Sequence, residues 1–520
     1  MVESLREPPS RWRAWIAIGL TLAASAFIAW TWRDADVDRQ KRVLTTAITV
    51  LGWMAATLLW MLTLSGWRWK TRLRCLLAFA LLLGAGAGLF RFEGVSGDLV
   101  PILRLRQIGS TPETRDATPA AAETVPSPSR VIPPAHEYPQ FLGPERNARL
   151  DGVKLVRDWA RRPPRLVWRR PIGSGWSAFA VSGDAAFTQE QRGGSELVAC
   201  VGLLDGKARW THAEEQRYET ALGGVGPRAT PTLTQDRVVA LGATGILLCL
   251  DRTTGALLWR HDITTEHNAK PPEWAYAGSP LVAEGLVFVA PGGKSGAVVA
   301  YRLADGTLAW ASGEGSAGYA SLSYAVLADA PSILQFKSSG LSGYDPATGK
   351  LLWKAPWKAS NPSPAQPLVL SDDRVLVSSG YGVGSGLFRI EKDAAGALKA
   401  VALWETRALK SKFSCMIAVG EQVYGLDDGV LACIDISDGR RRWKTARIGH
   451  GQLLLAGDVL LVTAESGEVL LVEPNPDSFR ELGRFQAVEG KLWACPAFPA
   501  PYLLVRSDLE AACWELGMGE

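Results

Sequence analysis

The sequence has few cysteines and histidines, and none of them is spaced for a metal site or a disulfide scaffold. Its 520 residues include 7 Cys and 5 His. No two cysteines are adjacent and no C-x-x-C occurs, which argues against a zinc ribbon and a disulfide-rich domain. A P-loop and a G-x-S-x-G motif are also missing. We therefore expect neither a P-loop nucleotide hydrolase nor an α/β-hydrolase, and we assign no metal site.

An excess of charge of one sign is lacking as well. The 56 Lys and Arg are balanced by 52 Asp and Glu, for a formal net charge of +4, and no basic block stands out. A nucleic-acid binder needs a basic surface, so we predict no nucleic-acid partner. Hydrophobic residues make up 47% of the chain, which is enough to fold, and 520 residues are too many for one small domain.

Three long apolar runs occupy the first hundred residues, at 14–32, 43–64 and 73–90. Each is long enough to cross about 30 Å of hydrocarbon as a helix. Tryptophans cluster at the ends of these runs, as in the aromatic belts of membrane proteins: Trp12, Trp15, Trp30, Trp32, Trp67 and Trp69. A cleaved signal peptide is the alternative for the first run, but this run is long, lacks a clean A-x-A site and precedes two more. We predict a membrane anchor of three transmembrane helices in residues 1–106.

The orientation of this anchor is left open by its charges, because Lys and Arg are equally numerous in the segments on its two sides. If the N-terminus is cytoplasmic, three spans place the rest of the chain outside the cytoplasm. Residues 107–137 are rich in Pro, Ala, Thr and Ser, a composition that cannot assemble a core. We predict that they form a flexible linker.

From residue 138 onward, a small residue, a Gly and then a Trp recur along the chain. The clearest copies are CVGLLDGKARW, CLDRTTGALLW, AYRLADGTLAW, GYDPATGKLLW and CIDISDGRRRW. Successive marks from Trp168 to Phe485 lie 39 to 51 residues apart, close to the roughly 40 to 50 residues of one propeller blade. Short β-rich runs separated by Gly, Asp and Ser turns fill the intervals. The pattern predicts an all-β propeller of four-stranded antiparallel blades.

The recurring tryptophans are predicted to be structural, each packing between neighbouring blades after a Gly turn. They are Trp168, Trp210, Trp259, Trp310, Trp353, Trp404 and Trp443. Four cysteines take the small-residue position of the repeat, namely Cys200, Cys249, Cys433 and Cys513. Because other copies have Ala or Gly at that position, we predict that these cysteines are packing residues.

The two ends of the repeat region complement each other. The last unit stops before an outer strand of its own, whereas RLVWRRPI at 165–172 has the pattern of a terminal strand with no blade before it. A strand from 165–172 that completes the final blade would leave no unpaired edge. We therefore predict an eight-bladed propeller in residues 138–520.

The repeat A-x-D-x-x-T-G-x-x-x-W, together with YPQFLGPERNARLDG at 138–152, resembles the tryptophan-docking repeat of the pyrroloquinoline-quinone-like (PQQ-like) β-propellers. That family includes quinoprotein alcohol and glucose dehydrogenases and a propeller lipoprotein of the outer-membrane assembly machinery. The resemblance implies the fold; it does not imply cofactor binding, because the repeat builds the blade.

A working quinoprotein of this family would need further groups. The resemblance implies a vicinal Cys pair in the alcohol dehydrogenases, an Asp base, and Ca²⁺ held by carboxylate and amide oxygens. No adjacent cysteines are present, and Asp427 and Asp428 in GLDDG fit ordinary turn chemistry. Membrane glucose dehydrogenases, which lack the Cys pair, have a similar order of anchor and propeller. The residues therefore assign no cofactor, and PQQ with Ca²⁺ follows only from the dehydrogenase alternative.

Aligning the repeats on their tryptophans places a set of polar residues at one open end of the ring, here called the mouth. Two parts of each blade face this end: the start of its innermost strand and the turn between its second and third strands. These candidates for ligand binding are Gln189, Glu190, Arg228, Lys337, Lys412, His450, Gln452, Glu465, Arg506 and Asp508. Cations predominate, so an acidic small molecule or an acidic side chain of a partner is the expected ligand. The alternative is that these residues pair with one another and with channel water inside the ring.

Two functions remain open at this point. The first is a membrane-anchored, non-catalytic propeller that serves as a binding or assembly platform. The second is a PQQ-dependent dehydrogenase of alcohols or sugars that passes electrons to membrane quinones. Missing catalytic patterns favour the first. In either case we expect a bacterial inner-membrane protein whose propeller lies in the periplasm or outside.

Overall fold

The computed structural model describes residues 11–33, 37–106, 123–124, 134, 136–359 and 362–519. It divides into two compact units, Met1–Pro112 and Glu113–Glu520. Most of the predicted linker at 107–137 lies outside the described residues.

The N-terminal unit contains three apolar helices, as predicted: α1 Arg11–Arg33, α2 Arg39–Thr63 and α3 Trp69–Leu89. All three are long and apolar enough to cross a membrane. Indole N–H groups link α1 and α2. Trp32 donates to Thr46 Oγ1 at 2.9 Å, and Trp53 donates to Thr21 Oγ1 at 3.1 Å. Such bonds between helices satisfy polar groups that would otherwise face hydrocarbon. A hairpin of β1 Phe90–Val95 and β2 Pro101–Leu105 follows α3 directly.

The C-terminal unit is built from antiparallel sheets of four strands that follow one another along the chain, which confirms the all-β, propeller-like fold. Three short strands come first: β3 Glu123–Thr124, β4 Arg149–Leu150 and β5 Arg165–Pro171. Sheets A and B are β6–β9 (Ala180–Ser182, Ala185–Arg192, Ser195–Gly202, Ala208–Glu214) and β12–β15 (Thr232–Leu233, Arg237–Leu241, Ile246–Asp251, Leu257–Asp262). A hairpin of β10 Glu219–Thr220 and β11 Gly224–Val225 lies between them in sequence, and α4 Ile263–Glu266 follows sheet B.

Sheets C to F repeat this order. They are β16–β19 (Leu281–Ala283, Leu286–Val289, Val298–Arg302, Leu308–Ser312), β20–β23 (Ser323–Leu327, Ala330–Lys337, Gly340–Tyr344, Leu351–Pro356), β24–β27 (Leu368–Leu370, Arg374–Ser379, Gly384–Lys392, Leu398–Thr406) and β28–β31 (Ile417–Val419, Gln422–Asp427, Val430–Asp435, Arg441–Arg447). Sheet G is β32–β35 (Gln452–Ala456, Val459–Thr463, Glu468–Glu473, Arg480–Gln486), with β4 added in parallel beside β32. The middle strands of each sheet are buried, whereas outer strands such as β9 alternate between exposed and half-buried residues.

Sheet H joins the two ends of this unit. Its C-terminal strands are β36 Tyr502–Arg506 and β37 Glu510–Glu515, and β5 pairs antiparallel with β37 on one side and with β3 on the other. The segment that we expected to close the ring, 165–172, therefore lies beside the last strand of the chain.

In five repeat turns the Gly sits beneath an indole of the preceding sheet, namely Gly206, Gly255, Gly306, Gly349 and Gly439. In the turn after β14, Asp251 Oδ1 accepts hydrogen bonds from the N–H groups of Thr253 and Thr254 at 3.0 and 2.8 Å. Gly255 then has φ +73°, and a Cβ at this residue would lie 2.5 Å from the Trp210 ring. Only Gly meets both demands, which explains why the repeat keeps D-x-x-T-G before its Trp.

The indole N–H of the same tryptophan donates to a backbone carbonyl of the next sheet. Trp168 donates to Leu203 O at 2.7 Å, and Trp210, Trp259, Trp310, Trp404 and Trp443 make the corresponding bonds at 2.8 to 3.1 Å. Trp353 differs, because its buried Nε1 has no hydrogen-bond partner among the described residues. The hairpin of the next sheet is longer, with two nine-residue strands, β26 and β27, and it carries Gly396 away from this indole.

In most sheets a small residue lies directly across the strand pair from the Trp, whereas in sheet E Leu387 lies opposite Trp404. Cys200 pairs with Trp210, Cys249 with Trp259 and Cys433 with Trp443, while Ala300 and Gly343 take the same place in sheets C and D. A short side chain leaves room for the indole opposite it. Burial raises the pKa of the Cys200, Cys249 and Cys433 thiols to about 11, which keeps them protonated and unreactive.

Candidate ligand-binding mouth

Six of the ten predicted mouth residues are buried side chains. These are Gln189, Glu190, Lys412, His450, Gln452 and Arg506. Arg228, Lys337, Glu465 and Asp508 are half-buried. Their contacts form separate groups, with Gln189, Glu190 and Arg506 in one group and His450, Gln452 and Glu465 in another.

Arg506 is enclosed by backbone carbonyls at the junction of sheets H and A. Its Nη1 donates to Gln189 O at 2.7 Å, Ser177 O at 3.2 Å and Thr188 Oγ1 at 3.2 Å. Its Nη2 donates to Gly173 O at 2.8 Å and Gly175 O at 3.1 Å. Burial lowers the pKa of this guanidinium to about 10, although the nearby Glu190 carboxylate opposes the shift. Arg506 thus ties the last sheet to the first.

Glu190 is held in the same junction. Its carboxylate accepts from Arg192 Nε at 2.7 Å and from the Gly173 N–H at 2.7 Å. Burial raises the pKa of Glu190, but the charge and hydrogen bond of Arg192, the Gly173 N–H and the charge of Arg170 outweigh burial and hold the pKa below its ordinary value. Gln189 Nε2 donates to Ala229 O at 2.7 Å and so bridges sheets A and B.

The second group lies where sheets F, G and H meet. Gln452 Oε1 accepts from the Cys415 N–H at 3.2 Å, and its Nε2 donates to Phe413 O and Trp493 O at 3.1 and 3.0 Å. Glu465 accepts from Trp493 Nε1 at 2.9 Å and from the His450 N–H at 3.3 Å. Gln452 therefore couples inner strands, while Glu465 orients an indole.

Three cations of the mouth lie over aromatic faces. The Arg228 guanidinium lies 4.9 Å from the Tyr218 ring centre and also donates to Gly223 O and Gly224 O at 2.8 and 3.0 Å. Lys412 Nζ lies 4.9 Å from the Tyr381 ring centre. Tyr381 has φ +58°, a conformation that bulky residues rarely adopt and that is concentrated at functional positions.

Lys491, which we did not predict, is the third of these cations. Its Nζ lies 4.0 Å from the Trp493 ring centre and 5.0 Å from the Trp176 ring centre. A cation over an indole face is stabilised by the ring quadrupole. Asp508 Oδ1 accepts from the Lys491 backbone N–H at 2.7 Å, so this carboxylate fixes the loop that carries the lysine.

These contacts continue into a row of half-buried rings, here called the aromatic arc, which the polar candidates did not include. It consists of Phe413, Trp493, Trp176, Tyr218, Trp274 and Tyr319, with the buried His450 at one end. Neighbouring ring centres are 5.6 Å apart for His450 and Phe413, 5.3 Å for Phe413 and Trp493, and 4.8 Å for Trp493 and Trp176.

The other half of the arc is joined through the backbone. Trp176 Nε1 and Arg228 Nη2 both donate to Gly223 O, at 2.9 and 2.8 Å. Tyr218, under Arg228, donates its hydroxyl to Glu273 O, and the next residue, Trp274, lies 5.8 Å from Tyr319 between ring centres. The arc therefore has two stretches of direct ring contact, His450 to Trp176 and Trp274 to Tyr319, which are linked through Arg228, Tyr218 and the backbone.

A cavity of about 340 Å³ opens at the Tyr319 end of the arc. Its walls include Lys270, Glu273, Tyr319, Lys337, Pro362 and Ser363. Burial, together with the charge of Lys354, lowers the pKa of Lys337, whose Nζ lies 3.5 Å from Glu314 O. An anion in this cavity would stabilise the charged form of the Lys337 ammonium, which burial disfavours.

The residues present do not fit a calcium-bound quinone. No group of three or more His, Cys, Asp or Glu side chains in the described part of the chain could hold a metal ion. The carboxylates of the mouth are separately engaged, as described above. Asp427 is enclosed by cations, with Lys410 Nζ at 2.6 Å and Lys444 Nζ at 3.3 Å, and Asp428 occupies a left-handed turn position with φ +49°. The Asp-Asp-Gly segment is thus a salt-bridged turn, as we expected.

Comparisons with known proteins confirm the resemblance to PQQ-like β-propellers. Residues 194–445 match the family model described as outer membrane protein assembly factor BamB. BamB of Shewanella oneidensis is 23% identical over 322 residues, covering 58% of this chain and 77% of that protein. BamB of Xanthomonas campestris pv. campestris is 36% identical over 89 residues, covering 17% of this chain and 21% of that protein.

Solved structures share the fold at low sequence identity. The crystal structure of BamB from Moraxella catarrhalis aligns with a TM-score of 0.50 and 15% identity, covering 68% of this chain and 99% of that one. Quinohemoprotein alcohol dehydrogenase from Comamonas testosteroni aligns with a TM-score of 0.52 and 13% identity, covering 74% of this chain and 81% of that one. An assembly factor and an enzyme thus share this fold, so the fold alone does not decide between them.

Proposed function

We propose that this protein is a membrane-anchored binding platform whose aromatic arc and mouth cations hold an extended, acidic segment of a partner protein. The proposal rests above all on the aromatic arc, with Lys491, Arg228 and Lys337 along it. Half-buried aromatic rings offer contact area at low entropic cost, and the cations beside them provide charge for carboxylates.

The burial of the other polar candidates supports a binding role over a catalytic one. Arg506, Gln189 and Gln452 spend their donors on carbonyls between sheets. Glu190 and Glu465 are likewise engaged with N–H groups. A general base needs a carboxylate within reach of a substrate proton, and these carboxylates already serve structural contacts.

We further propose the arrangement in which this platform works. Sheets A to H are the eight blades of one ring closed by the strand at 165–172, and α1 to α3 anchor it in the bacterial inner membrane with the ring in the periplasm. The relatives are named as outer membrane protein assembly factors, so a partner among outer-membrane assembly components is the natural first candidate.

Site-specific photo-crosslinking in cells tests the platform. A photoreactive phenylalanine analogue replaces Trp493 or Tyr319 in the arc, and a matched control replaces Leu351, which is 48% exposed on the outer strand β23. We expect protein adducts from the two arc positions and none from position 351. Lys491→Ala should lower the adduct yield about fivefold if it removes about 1 kcal/mol of cationic contact. Lys207→Ala, in an exposed outer turn, should leave the yield unchanged.

Two results would contradict the platform. Equal adducts from arc and outer-strand positions would mean that the partner binds elsewhere on the propeller. Reduction of an artificial electron acceptor by the purified protein with PQQ, Ca²⁺ and an alcohol or sugar would establish the dehydrogenase instead.

A further inference from the structure

The hairpin that follows α3 has two chemically different faces. Its cross-strand pairs are Phe90 with Leu105, Arg91 with Arg104, and Phe92 with Leu103. Because directly opposed residues share a face and successive residues alternate, the phenylalanines and leucines lie on one face and the two arginines on the other.

Among the described residues of the N-terminal unit, the four side chains of the apolar face are largely exposed. Phe90 is 40% exposed, Phe92 58%, Leu103 57% and Leu105 67%. An isolated two-stranded hairpin is at best marginally stable in water, and four large apolar side chains on one face add to the cost of leaving it there. The face needs an apolar medium.

The position of the hairpin in the unit indicates which medium covers it. Leu89 ends the apolar helix α3, and β1 begins at the next residue. At the hairpin turn, Asp98 pairs with Arg39 at 3.3 Å, and Arg39 belongs to the first turn of α2. The guanidinium groups of Arg39 and Arg42 each lie 5.4 Å from the Trp32 ring centre, at the end of α1.

The hairpin therefore lies at the end of the helical unit where α1 ends, α2 begins and α3 ends. Tryptophan and arginine at helix ends mark the level of the lipid headgroups in membrane proteins. The apolar face follows the apolar helix α3 directly along the chain, while the opposite face carries Arg91 and Arg104, whose charge attracts anionic headgroups.

We propose that the hairpin Phe90–Leu105 lies in the lipid–water interface, with Phe90, Phe92, Leu103 and Leu105 among the acyl chains and Arg91 and Arg104 bound to the phosphate groups of anionic lipids. The proposal rests on the membrane anchoring proposed above. Arg91 and Arg104 lie directly opposite each other on the two strands, close enough for both guanidinium groups to contact one phosphate group. The hairpin thus fixes the depth of the anchor and gathers anionic lipid at the point where the linker departs.

Depth-dependent quenching on the full-length protein tests the apolar face. In a background with Cys75 and Cys495 changed to Ala, Phe92→Cys carries a polarity-sensitive fluorophore, and Val326→Cys on β20 is the matched control, since Val326 is also 58% exposed. Both proteins are reconstituted in phosphatidylcholine vesicles with lipids spin-labelled just below the headgroup. We expect strong quenching at position 92 and none at position 326. Equal quenching at both positions, or cross-linking of position 92 to a second copy without quenching, would overturn the proposal.

Lipid retention tests the arginine face. The full-length protein is purified from mixed phosphatidylglycerol and phosphatidylcholine vesicles, and the ratio of the two retained lipids is measured. Arg91→Gln and Arg104→Gln should each lower the retained share of phosphatidylglycerol about fivefold, while the Lys variants should keep most of it. An unchanged ratio in the Gln variants would refute headgroup binding. Neither readout involves the aromatic arc, so failure here and failure of the platform remain distinguishable.

Discussion

Arg506→Met should destabilise the propeller without the loss of any ligand contact. Five acceptors around the guanidinium lose one donor: the carbonyls of Gly173, Gly175, Ser177 and Gln189, and Thr188 Oγ1. Ser177 O keeps another, because Thr188 Oγ1 donates to it at 3.1 Å. If each of the other four acceptors costs about 1 kcal/mol when left unsatisfied, the gross loss is about 4 kcal/mol. Methionine recovers part of this, because the buried cation, whose pKa burial lowers to about 10, no longer has to be desolvated. We expect a net loss of about 3 kcal/mol.

Thermal unfolding of the full-length protein in detergent, followed by tryptophan fluorescence, measures this loss. At about 2 °C per kcal/mol for a domain of this size, Tm should fall by roughly 6 °C. Arg440→Met is the control, since the Arg440 side chain is 87% exposed and pairs only at the surface with Asp438. An unchanged Tm in Arg506→Met, with lower crosslinking at the arc, would show that Arg506 is a ligand-binding residue as the sequence pattern suggested, and that its carbonyl contacts are incidental.

Two further predictions concern buried groups of sheets A, H and D. Burial raises the pKa of Glu196 to about 7 from an ordinary value of 4.5. The hydrogen bond that the Ala243 N–H donates to its carboxylate opposes this shift. The stabilisation from its protonated form is therefore complete below about pH 4.5 and is lost as pH rises through about 7. The free energy of unfolding from denaturant melts should fall by about 3 kcal/mol between pH 4.5 and 8. Glu196→Gln should remove most of this pH dependence, and an equal pH dependence in the variant would disprove the assignment. Trp168→Phe should lower the free energy of unfolding by about 1 kcal/mol more than Trp353→Phe in denaturant melts, because only the Trp168 indole makes a buried hydrogen bond to a carbonyl. Equal losses in the two variants would contradict the docking role of that bond.

The fold was largely readable from the sequence because one local rule is repeated. A Gly with positive φ under an indole forces the same turn wherever it occurs, so spacing alone predicts successive sheets. The rule does not hold at Trp353, because the hairpin Gly384–Thr406 is longer than its counterparts and its Gly396 lies away from the indole. The insertion was visible in the sequence, but its consequence for the neighbouring tryptophan was not.

The mouth was only partly readable. Repeat alignment places Arg506 and Gln452 near the mouth, but it cannot tell whether a side chain turns toward solvent or into the joint between sheets. That direction depends on which carbonyls the neighbouring sheet leaves without a donor. A signal for the aromatic arc was nevertheless present, since Trp176, Phe413 and Trp493 occupy the same place in the inner-strand starts GWS, KFS and LWA.

The contrast between Arg506 and Lys491 separates the structural chemistry of this mouth from its recognition chemistry. Both are buried cations: Arg506 ends strand β36 of sheet H, and Lys491 lies in the segment between sheets G and H. Arg506 donates from its two terminal nitrogens to five acceptors, so its guanidinium is engaged in the joint between sheets H and A. Lys491 instead lies over the rings of Trp176 and Trp493, whose quadrupoles stabilise the ammonium charge that we propose attracts carboxylates of the partner. The rings and lysines of the arc should therefore matter for partner binding, whereas Arg506 should matter for the joint between the last sheet and the first.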